Sequence, residues 1–160
     1  MDSRERVLAA LNHQEPDHLP VDIGATPSSG ISAIAYDNLK KHLRFGDQRN
    51  WVYDVVQQVT QPTEEFLDYF SIDVVDLGRT FNTKDSDWFD YKLANGSTAQ
   101  QPGWFKPKKQ ANGSYLAYVN GEPIAKMPVG ATFYDQTVFP FIDGYPDEYG
   151  HNMDEAMGKV

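Results

Sequence analysis

The sequence contains no cysteine in its 160 residues. This absence excludes a disulfide framework, a thiolate nucleophile and a cysteine-ligated zinc site within these residues. Histidine does not replace it, because the four histidines show none of the close pairings that a zinc or iron site on one helix or hairpin usually needs; they are His13, His18, His42 and His151. We therefore expect no metal ligands in this chain.

Long apolar runs and basic residues are also scarce. No stretch approaches the roughly 18 apolar residues of a membrane-spanning helix, and the apolar residues 7–11 are too few for a signal-peptide core. The chain has 14 basic and 23 acidic residues, and its net charge of −9 is repelled by phosphate groups. We expect a cytoplasmic protein that binds neither nucleic acid nor membranes.

Apolar residues are nevertheless plentiful enough for a folded core. Hydrophobic residues make up 40% of the chain, with 9 Phe, 9 Tyr and 3 Trp, which argues against disorder. The length fits one domain, and no internal repeat or flexible linker divides it. We predict a single α+β domain over residues 1–160, with an αβ part at 1–86 and a hairpin-rich part at 87–138.

Three helices are predicted in the first part. Asp2 is a good helix cap because Glu5 stands three residues after it, and apolar residues then recur at helical spacing as far as Leu11. The best helical pattern covers residues 31–43, which end in a basic last turn. A third helix is predicted to follow Thr63, with acidic residues in its first turn.

Two strands are predicted beside these helices. Residues 19–24 alternate apolar and polar side chains, with Val21 and Ile23 predicted to face the core, and they lead into a polar loop at residues 25–30. Residues 72–78 form the second predicted strand, which follows the third helix after a very short connection. Helix and strand are therefore expected to form one unit.

The second part is predicted to consist of hairpins. Three Asn-Gly pairs stand between aromatic and β-branched residues and predict type I′ turns; they are Asn95-Gly96, Asn112-Gly113 and Asn120-Gly121. The clearest hairpin runs from residue 114 to residue 127. Pro123 lacks an N–H, so we expect it at an edge or a bulge. A last polar stretch, residues 153–157, is predicted to begin another helix.

Short catalytic motifs are weak in this sequence. The Ser28-Ser29 pair lacks the Gly-x-Ser-x-Gly elbow of a nucleophilic serine, and a capping role for Ser29 at the following helix is the better interpretation. The acidic cluster at residues 85–90 lacks the glycine and the distal glutamate of a calcium loop. Paired carboxylates cannot be located from spacing, because 23 acidic residues make chance pairs common.

Several short phrases nevertheless follow one another along the chain in a recognisable order. They are residues 3–13 (SRERVLAALNH), 15–17 (EPD) with 20–22 (PVD), 31–36 (ISAIAY), 72–79 (IDVVDLGR) and 124–128 (IAKMP). On these phrases the chain resembles the uroporphyrinogen decarboxylase superfamily, and within it the branch of corrinoid-linked methyltransferases.

This resemblance implies a fold and a set of cofactors. Members of the superfamily are (β/α)₈ TIM barrels, which need about 250 residues, so the chain resembles only the N-terminal portion of one. The methyltransferases of the family hold zinc through a His and two Cys in their C-terminal half, which is consistent with the lack of cysteine here. Zinc and corrinoid are therefore implied for the full-length parent and not for this chain.

The resemblance also distinguishes two chemistries. Porphyrinogen decarboxylases carry arginines in the loop after the first barrel strand, where they hold substrate carboxylates. The corresponding loop here, residues 25–30, contains no arginine, and Gly78-Arg79-Thr80 stands where the decarboxylases have an aspartate. The parent is therefore expected to move a methyl group from a small methylated or methoxylated donor to a corrinoid protein. A decarboxylase-type carboxy-lyase is the alternative within the family.

Loops at the C-terminal ends of barrel strands build the sites of such enzymes. The resemblance therefore implies that Asp22, Thr26, Ser28 and Arg79 line the substrate side, while the catalytic residues stay unidentified. An equally good interpretation makes Asp22 and Arg79 structural ion-pair partners. A third hypothesis is a non-catalytic binding or dimerisation module, in which the hairpins offer an edge strand or an aromatic groove to a partner or to a second copy in a homodimer.

Overall fold

The computed structural model describes residues 1–46, 49–78 and 84–139. The chain has the mixed α+β character that the sequence predicts, and it divides into two compact units. The first unit comprises the described residues of Met1–Asp54 and Gln58–Gly103, and the second comprises Val55–Gln57 and the described residues from Trp104 onward. Among the described helices, none has both the length and the apolar character needed to cross a bilayer.

The first unit contains three helices and five strands. Its helices are α1 (Ser3–Leu11), α2 (Ala33–Leu43) and α3 (Glu64–Tyr69). Its strands are β1 (Ile31–Ser32), β2 (Trp51–Asp54), β3 (Val59–Gln61), β4 (Trp88–Lys92) and β5 (Thr98–Pro102). They form one sheet in the order β1-β3-β2-β5-β4, in which the β2–β5 pair is parallel and the other pairs are antiparallel.

The core of the first unit joins α2 to this sheet. Ala33 of α2 packs with Val52, Leu93 and Ala99, and all four side chains are buried. Val52 is contributed by β2 and Ala99 by β5, while Leu93 directly follows β4. An aromatic group around Phe66 ties α3 to the same helix.

The predicted helix starts are confirmed at α1 and α3 and corrected at α2. Asp2 accepts a hydrogen bond from the Glu5 N–H at 2.7 Å, and the Glu5 carboxylate accepts one from the Asp2 N–H at 3.0 Å, which is a complete capping box. The cap of α2 is Ser32, whose hydroxyl accepts from the Ala35 N–H, so the prediction of Ser29 as the cap was wrong. Ser29 instead donates its hydroxyl within the preceding turn.

Helix α1 is amphipathic in sequence, but its two leucines are not among the residues that it buries. The buried residues are Arg6 and Ala9, while Leu8 is 41% and Leu11 is 70% exposed. The reason is electrostatic, because Arg6 is held by two aspartates from other parts of the unit. The helix therefore turns Arg6 inward and its leucines outward.

The two predicted strands at residues 19–24 and 72–78 are not formed as strands. They meet in a single parallel bridge between Asp22 and Val74. Regular pairing fails for a local reason, since Pro20 has no N–H and the Val21 N–H donates to the Asp73 carboxylate instead of a backbone carbonyl. Val21 is exposed and Ile23 is half-buried, so the prediction that both face the core was wrong for Val21.

The second unit is a four-stranded antiparallel sheet. Its strands are β6 (Lys108–Lys109), β7 (Tyr115–Val119), β8 (Glu122–Met127) and β9 (Asp135–Gln136), in that spatial order. One face of the sheet packs on a core of buried side chains from the whole unit: Val55, Phe105, Ala117, Ala125 and Tyr134.

The clearest predicted hairpin is confirmed as β7–β8. The register pairs Val119 with Glu122 across the Asn-Gly turn, and it shifts by one residue between Ala117 and Tyr118. The shift leaves Pro123 beside a bulge, which confirms the expectation for a proline without an N–H. The helix predicted at residues 153–157 lies outside the described residues.

Only one of the three Asn-Gly pairs forms the predicted type I′ turn. At Asn120-Gly121 both residues have positive φ, 51° and 87°, as this turn requires. At Asn95 and Asn112 only the following glycine has positive φ, because the flanking strands leave five residues between them at each site. Loop length therefore decides the turn type here.

Candidate functional site

The parallel bridge brings two chain segments together in the first unit. Asp22 pairs with Val74, and the Asp73 N–H donates to the Val21 carbonyl at 2.8 Å. Because the segments run parallel, the residues that follow each of them leave on the same side. In open and closed α/β folds, ligands bind beyond the carboxyl ends of parallel strands. The loop after Asp22 is therefore the candidate functional site.

This loop is held by its own hydrogen bonds. The Asp22 carboxylate accepts from the Ala25 N–H at 3.0 Å, and the Gly24 N–H donates to the Ser29 carbonyl at 3.0 Å. The loop contains a short 3₁₀ turn at Pro27–Ser29, and the Thr26 and Ser29 hydroxyl oxygens lie 3.4 Å apart. The loop is thus closed by its own hydrogen bonds. These bonds fix the backbone positions from which its exposed side chains project.

Gly24 fixes the loop against the rest of the unit. Its φ is +90°, and a Cβ added to it would lie 2.7 Å from Cδ of Pro62. A non-glycine residue would be strained by the backbone conformation and would also collide with the proline ring. The sequence therefore needs glycine here, two residues after the bridge residue Asp22 and next to the start of α3.

Three of the four predicted substrate-side residues share this loop. Asp22, Thr26 and Ser28 are all exposed, within seven positions of one another. The Ser28 hydroxyl has no hydrogen-bond partner among the residues that the structure describes. A carboxylate and two hydroxyls at the surface of a fixed loop can orient a small polar ligand through hydrogen bonds.

Arg79, the fourth predicted residue, lies outside the described residues. The alternative hypothesis of an Asp22–Arg79 ion pair therefore stays a prediction. What the structure gives for Asp22 is a different role, since its carboxylate accepts the Ala25 N–H and so closes the loop. Aspartate commonly holds a turn in this way.

A charged cluster lies behind the bridge. The Arg6 guanidinium donates from Nε to Asp17 Oδ1 at 2.7 Å and from Nη2 to Asp17 Oδ2 at 3.1 Å. Its Nη1 pairs with the Asp73 carboxylate, which also accepts the Val21 N–H at 2.9 Å. Helix α1 is thereby tied to the second bridged segment at Asp73 and to Asp17, which precedes the first segment in the chain.

The cluster shifts the protonation equilibria of its members. Hydrogen bonds from Arg6 and from the N-terminal amine hold the pKa of Asp17 well below its usual range. The pKa of Asp73 is also lowered, first by the hydrogen bond from the Val21 N–H and further by Arg6. The pKa of Arg6 is raised by its hydrogen bond to Asp17. All three groups are therefore charged at neutral pH, and the cluster holds the bridge as an ionic clamp.

The sequence patterns did not identify this clamp. Arg6 lies in the first predicted helix and Asp73 in the second predicted strand, and no spacing rule connects residues so far apart in sequence. One signal was present: Asp73 interrupts an apolar strand pattern, and a charged residue in such a pattern usually has a partner. Its partner could not be named from sequence.

The described residues offer no obvious place for a metal ion. Within residues 1–46, 49–78 and 84–139, no three or more His, Asp, Glu or Cys side chains come together as a possible ligand group.

No protein-family model matches the chain, and no curated protein or solved structure matches it either.

Proposed function

We propose that this chain forms the N-terminal portion of a TIM-barrel methyltransferase resembling the uroporphyrinogen decarboxylase superfamily. The parent would transfer a methyl group from a small methylated or methoxylated donor to a corrinoid protein. The proposal is based on the ordered segments of sequence that resemble the superfamily. One structural observation supports it: the parallel bridge between Asp22 and Val74, with exposed apolar side chains on the two bridged segments.

In this proposal the two bridged segments correspond to consecutive strands of a parallel barrel. The segment at Asp22 is followed by helix α2 and the segment at Val74 is preceded by helix α3, so helices lie between two parallel neighbours. A parallel connection needs such a crossover, whereas hairpins give antiparallel neighbours. The intervening strands β1, β2 and β3 are an addition to the simple βαβ pattern.

Apolar side chains on these segments are exposed. Leu19 is 81% exposed, Val75 is 54% exposed and Leu77 is fully exposed. Strands of a parallel barrel are buried on both faces, by the barrel interior and by the outer helices. In the proposal, further strands of the parent barrel would cover these exposed apolar side chains.

The loop after Asp22 supports the choice of chemistry. In the proposal Asp22 keeps the loop closed, and the Thr26 and Ser28 hydroxyls orient the donor beside the barrel axis. A multiply charged tetrapyrrole carboxylate would need cationic anchors, and residues 22–30 contain none. The loop therefore favours a small neutral or cationic methyl donor over a porphyrinogen.

The test is a methyl-transfer assay on the full polypeptide that contains this chain, with methylated amines and methoxylated compounds as donors and a reduced corrinoid as acceptor. Methylation of cobalt changes the visible spectrum of the corrinoid, which gives the readout. We expect Thr26→Val and Ser28→Ala to raise the KM for the donor several-fold. Ser86→Ala, at an exposed serine in a short 3₁₀ turn, is the matched control and should leave it unchanged.

Measurements on the isolated chain distinguish the proposal from its two alternatives. It should show no turnover, bind a dye that reports exposed apolar surface, and associate without a fixed stoichiometry. A sharp dimer in sedimentation that does not bind the dye would contradict the proposal and favour the dimerisation module. Tight binding of an acidic porphyrin would favour the carboxy-lyase instead.

A further inference from the structure

The three Asn-Gly pairs share a dipeptide but differ in their surroundings. At the first pair the Asn95 Oδ1 accepts hydrogen bonds from the Ser97 N–H at 3.1 Å and from the Ser97 hydroxyl at 2.7 Å. The Gly96 N–H donates to the Leu93 carbonyl at 2.9 Å. Both the side-chain amide and the following backbone nitrogen are therefore engaged.

The second pair repeats this arrangement. Asn112 Oδ1 accepts from the Ser114 N–H at 3.0 Å and from the Ser114 hydroxyl at 2.7 Å. The Gly113 N–H donates to the Gln110 carbonyl at 2.9 Å. Two five-residue loops in different sheets thus protect their asparagines with the same set of contacts.

The third pair lacks these contacts. Asn120 and Gly121 form the two-residue turn of the β7–β8 hairpin and are both exposed. Among the described residues, neither the Asn120 side chain nor the Gly121 N–H has a hydrogen-bond partner. No hydrogen bond from the described residues therefore restrains the Asn120 side chain or engages the Gly121 nitrogen.

This difference matters for a reaction that Asn-Gly sequences undergo without an enzyme. The backbone nitrogen after the asparagine attacks the side-chain Cγ, an N–Cγ bond forms, the Cγ–Nδ2 bond breaks, and ammonia leaves with the amide proton. Water then opens the cyclic imide at either carbonyl and gives aspartate or isoaspartate. The attack needs a mobile side chain and an unengaged nitrogen, and glycine hinders it least because it has no side chain.

We propose that Asn120 is a site of spontaneous deamidation in the folded protein and that Asn95 and Asn112 are protected from it. The reaction would add one negative charge to the chain's −9. The isoaspartate product would also lengthen the main chain by one carbon inside a two-residue turn. That change would disturb the pairing of Val119 with Glu122 next to the bulge at Pro123.

The experiment compares folded and denatured protein during storage in mildly alkaline buffer. Peptide mapping by mass spectrometry follows the conversion of amide to acid at each of the three sites. In denatured protein the three sites should convert at similar rates, because all are Asn-Gly. At each site the deamidation rate in folded protein is divided by the rate at the same site in denatured protein. We expect this ratio to be several-fold higher at Asn120 than at Asn95 and Asn112.

A set of variants assigns the product independently. The glutamine variant Asn120→Gln cannot form the five-membered imide readily, so the early acidic species seen on ion exchange of the intact protein should disappear. The matched variants Asn95→Gln and Asn112→Gln should retain it. Persistence of the acidic species in Asn120→Gln, or equal normalised rates at the three sites, would overturn the proposal.

Discussion

Phe66 is the side chain whose removal should cost the first unit most. Its exposure is 0%, and its ring contacts three others, with centroid distances of 5.0 Å to Tyr36, 6.1 Å to Phe45 and 4.7 Å to Phe70. These rings come from α2, from the chain after α2 and from the end of α3. Phe66→Ala would therefore open a cavity at the point where two helices meet.

The expected magnitude follows from this burial. Truncating a buried phenylalanine to alanine costs about 3–5 kcal/mol, which includes its transfer energy and the cavity that stays behind. Aromatic pairs of this geometry contribute about 0.5–1.5 kcal/mol each within that total. With a urea dependence of about 2 kcal/mol per molar, a loss of about 4 kcal/mol lowers the unfolding midpoint by about 2 M.

The assay is urea unfolding followed by far-ultraviolet circular dichroism and tryptophan fluorescence. Phe66→Leu keeps most of the volume and should lose only about 1–2 kcal/mol. Phe133→Ala makes the same chemical change at a side chain that is 51% exposed and should shift stability by no more than about 0.5 kcal/mol. Equal midpoints for Phe66→Ala and the wild type would refute the assignment of Phe66 to the core.

Two further predictions concern the candidate site. The lowered pKa of Asp73 means that its ionised form stabilises the fold; this contribution is present above the unfolded carboxyl pKa of about 3.9 and is lost as the pH falls through the lower folded value. Urea midpoints measured over acidic pH should therefore fall less steeply for Asp73→Asn than for the wild type, and parallel profiles would contradict the clamp. Gly24→Ala should destabilise by about 1–3 kcal/mol from its positive φ, and by more through its contact with Pro62. Gly78→Ala is the matched control, because Gly78 has a similar φ of +93° but nothing within 4 Å of an added Cβ. Equal thermal midpoints for Gly24→Ala and Gly78→Ala would contradict a destabilising contact between residue 24 and Pro62.

Local rules in the sequence predicted the local structure well. The capping box at Asp2 and Glu5, the hairpin around Asn120-Gly121 and the bulge beside Pro123 all depend on residues within a few positions of one another. Such contacts are decided by backbone sterics and short hydrogen bonds, which the sequence contains directly.

Contacts between distant residues were harder to predict. The outward position of the leucines in α1 depends on Arg6 meeting aspartates 11 and 67 positions away, and no periodicity contains that information. The same holds for the two Asn-Gly loops that are not type I′, since their length is set by where the strands pair. In both cases the tertiary partner overrode the local pattern.

The sequence predicted which loop forms the candidate site, but it did not predict the contacts that hold this loop in place. Placing Asp22, Thr26 and Ser28 on one loop followed from their closeness in sequence. The hydrogen bond from the Ala25 N–H to the Asp22 carboxylate spans only three positions and is a local contact. The contact of Gly24 with Pro62 depends on how the segment meets the start of α3, so it becomes visible only once the chain is folded.

The parallel bridge has a consequence for the order of folding. It joins positions about 52 residues apart, whereas the β7–β8 hairpin closes across two residues. Closing a long loop loses more chain entropy before any contact compensates, so the hairpin should form early and the bridge late. During synthesis Asp22 is added 52 residues before Val74, and until Asp73 is added the N-terminal helix has no second aspartate to hold its arginine.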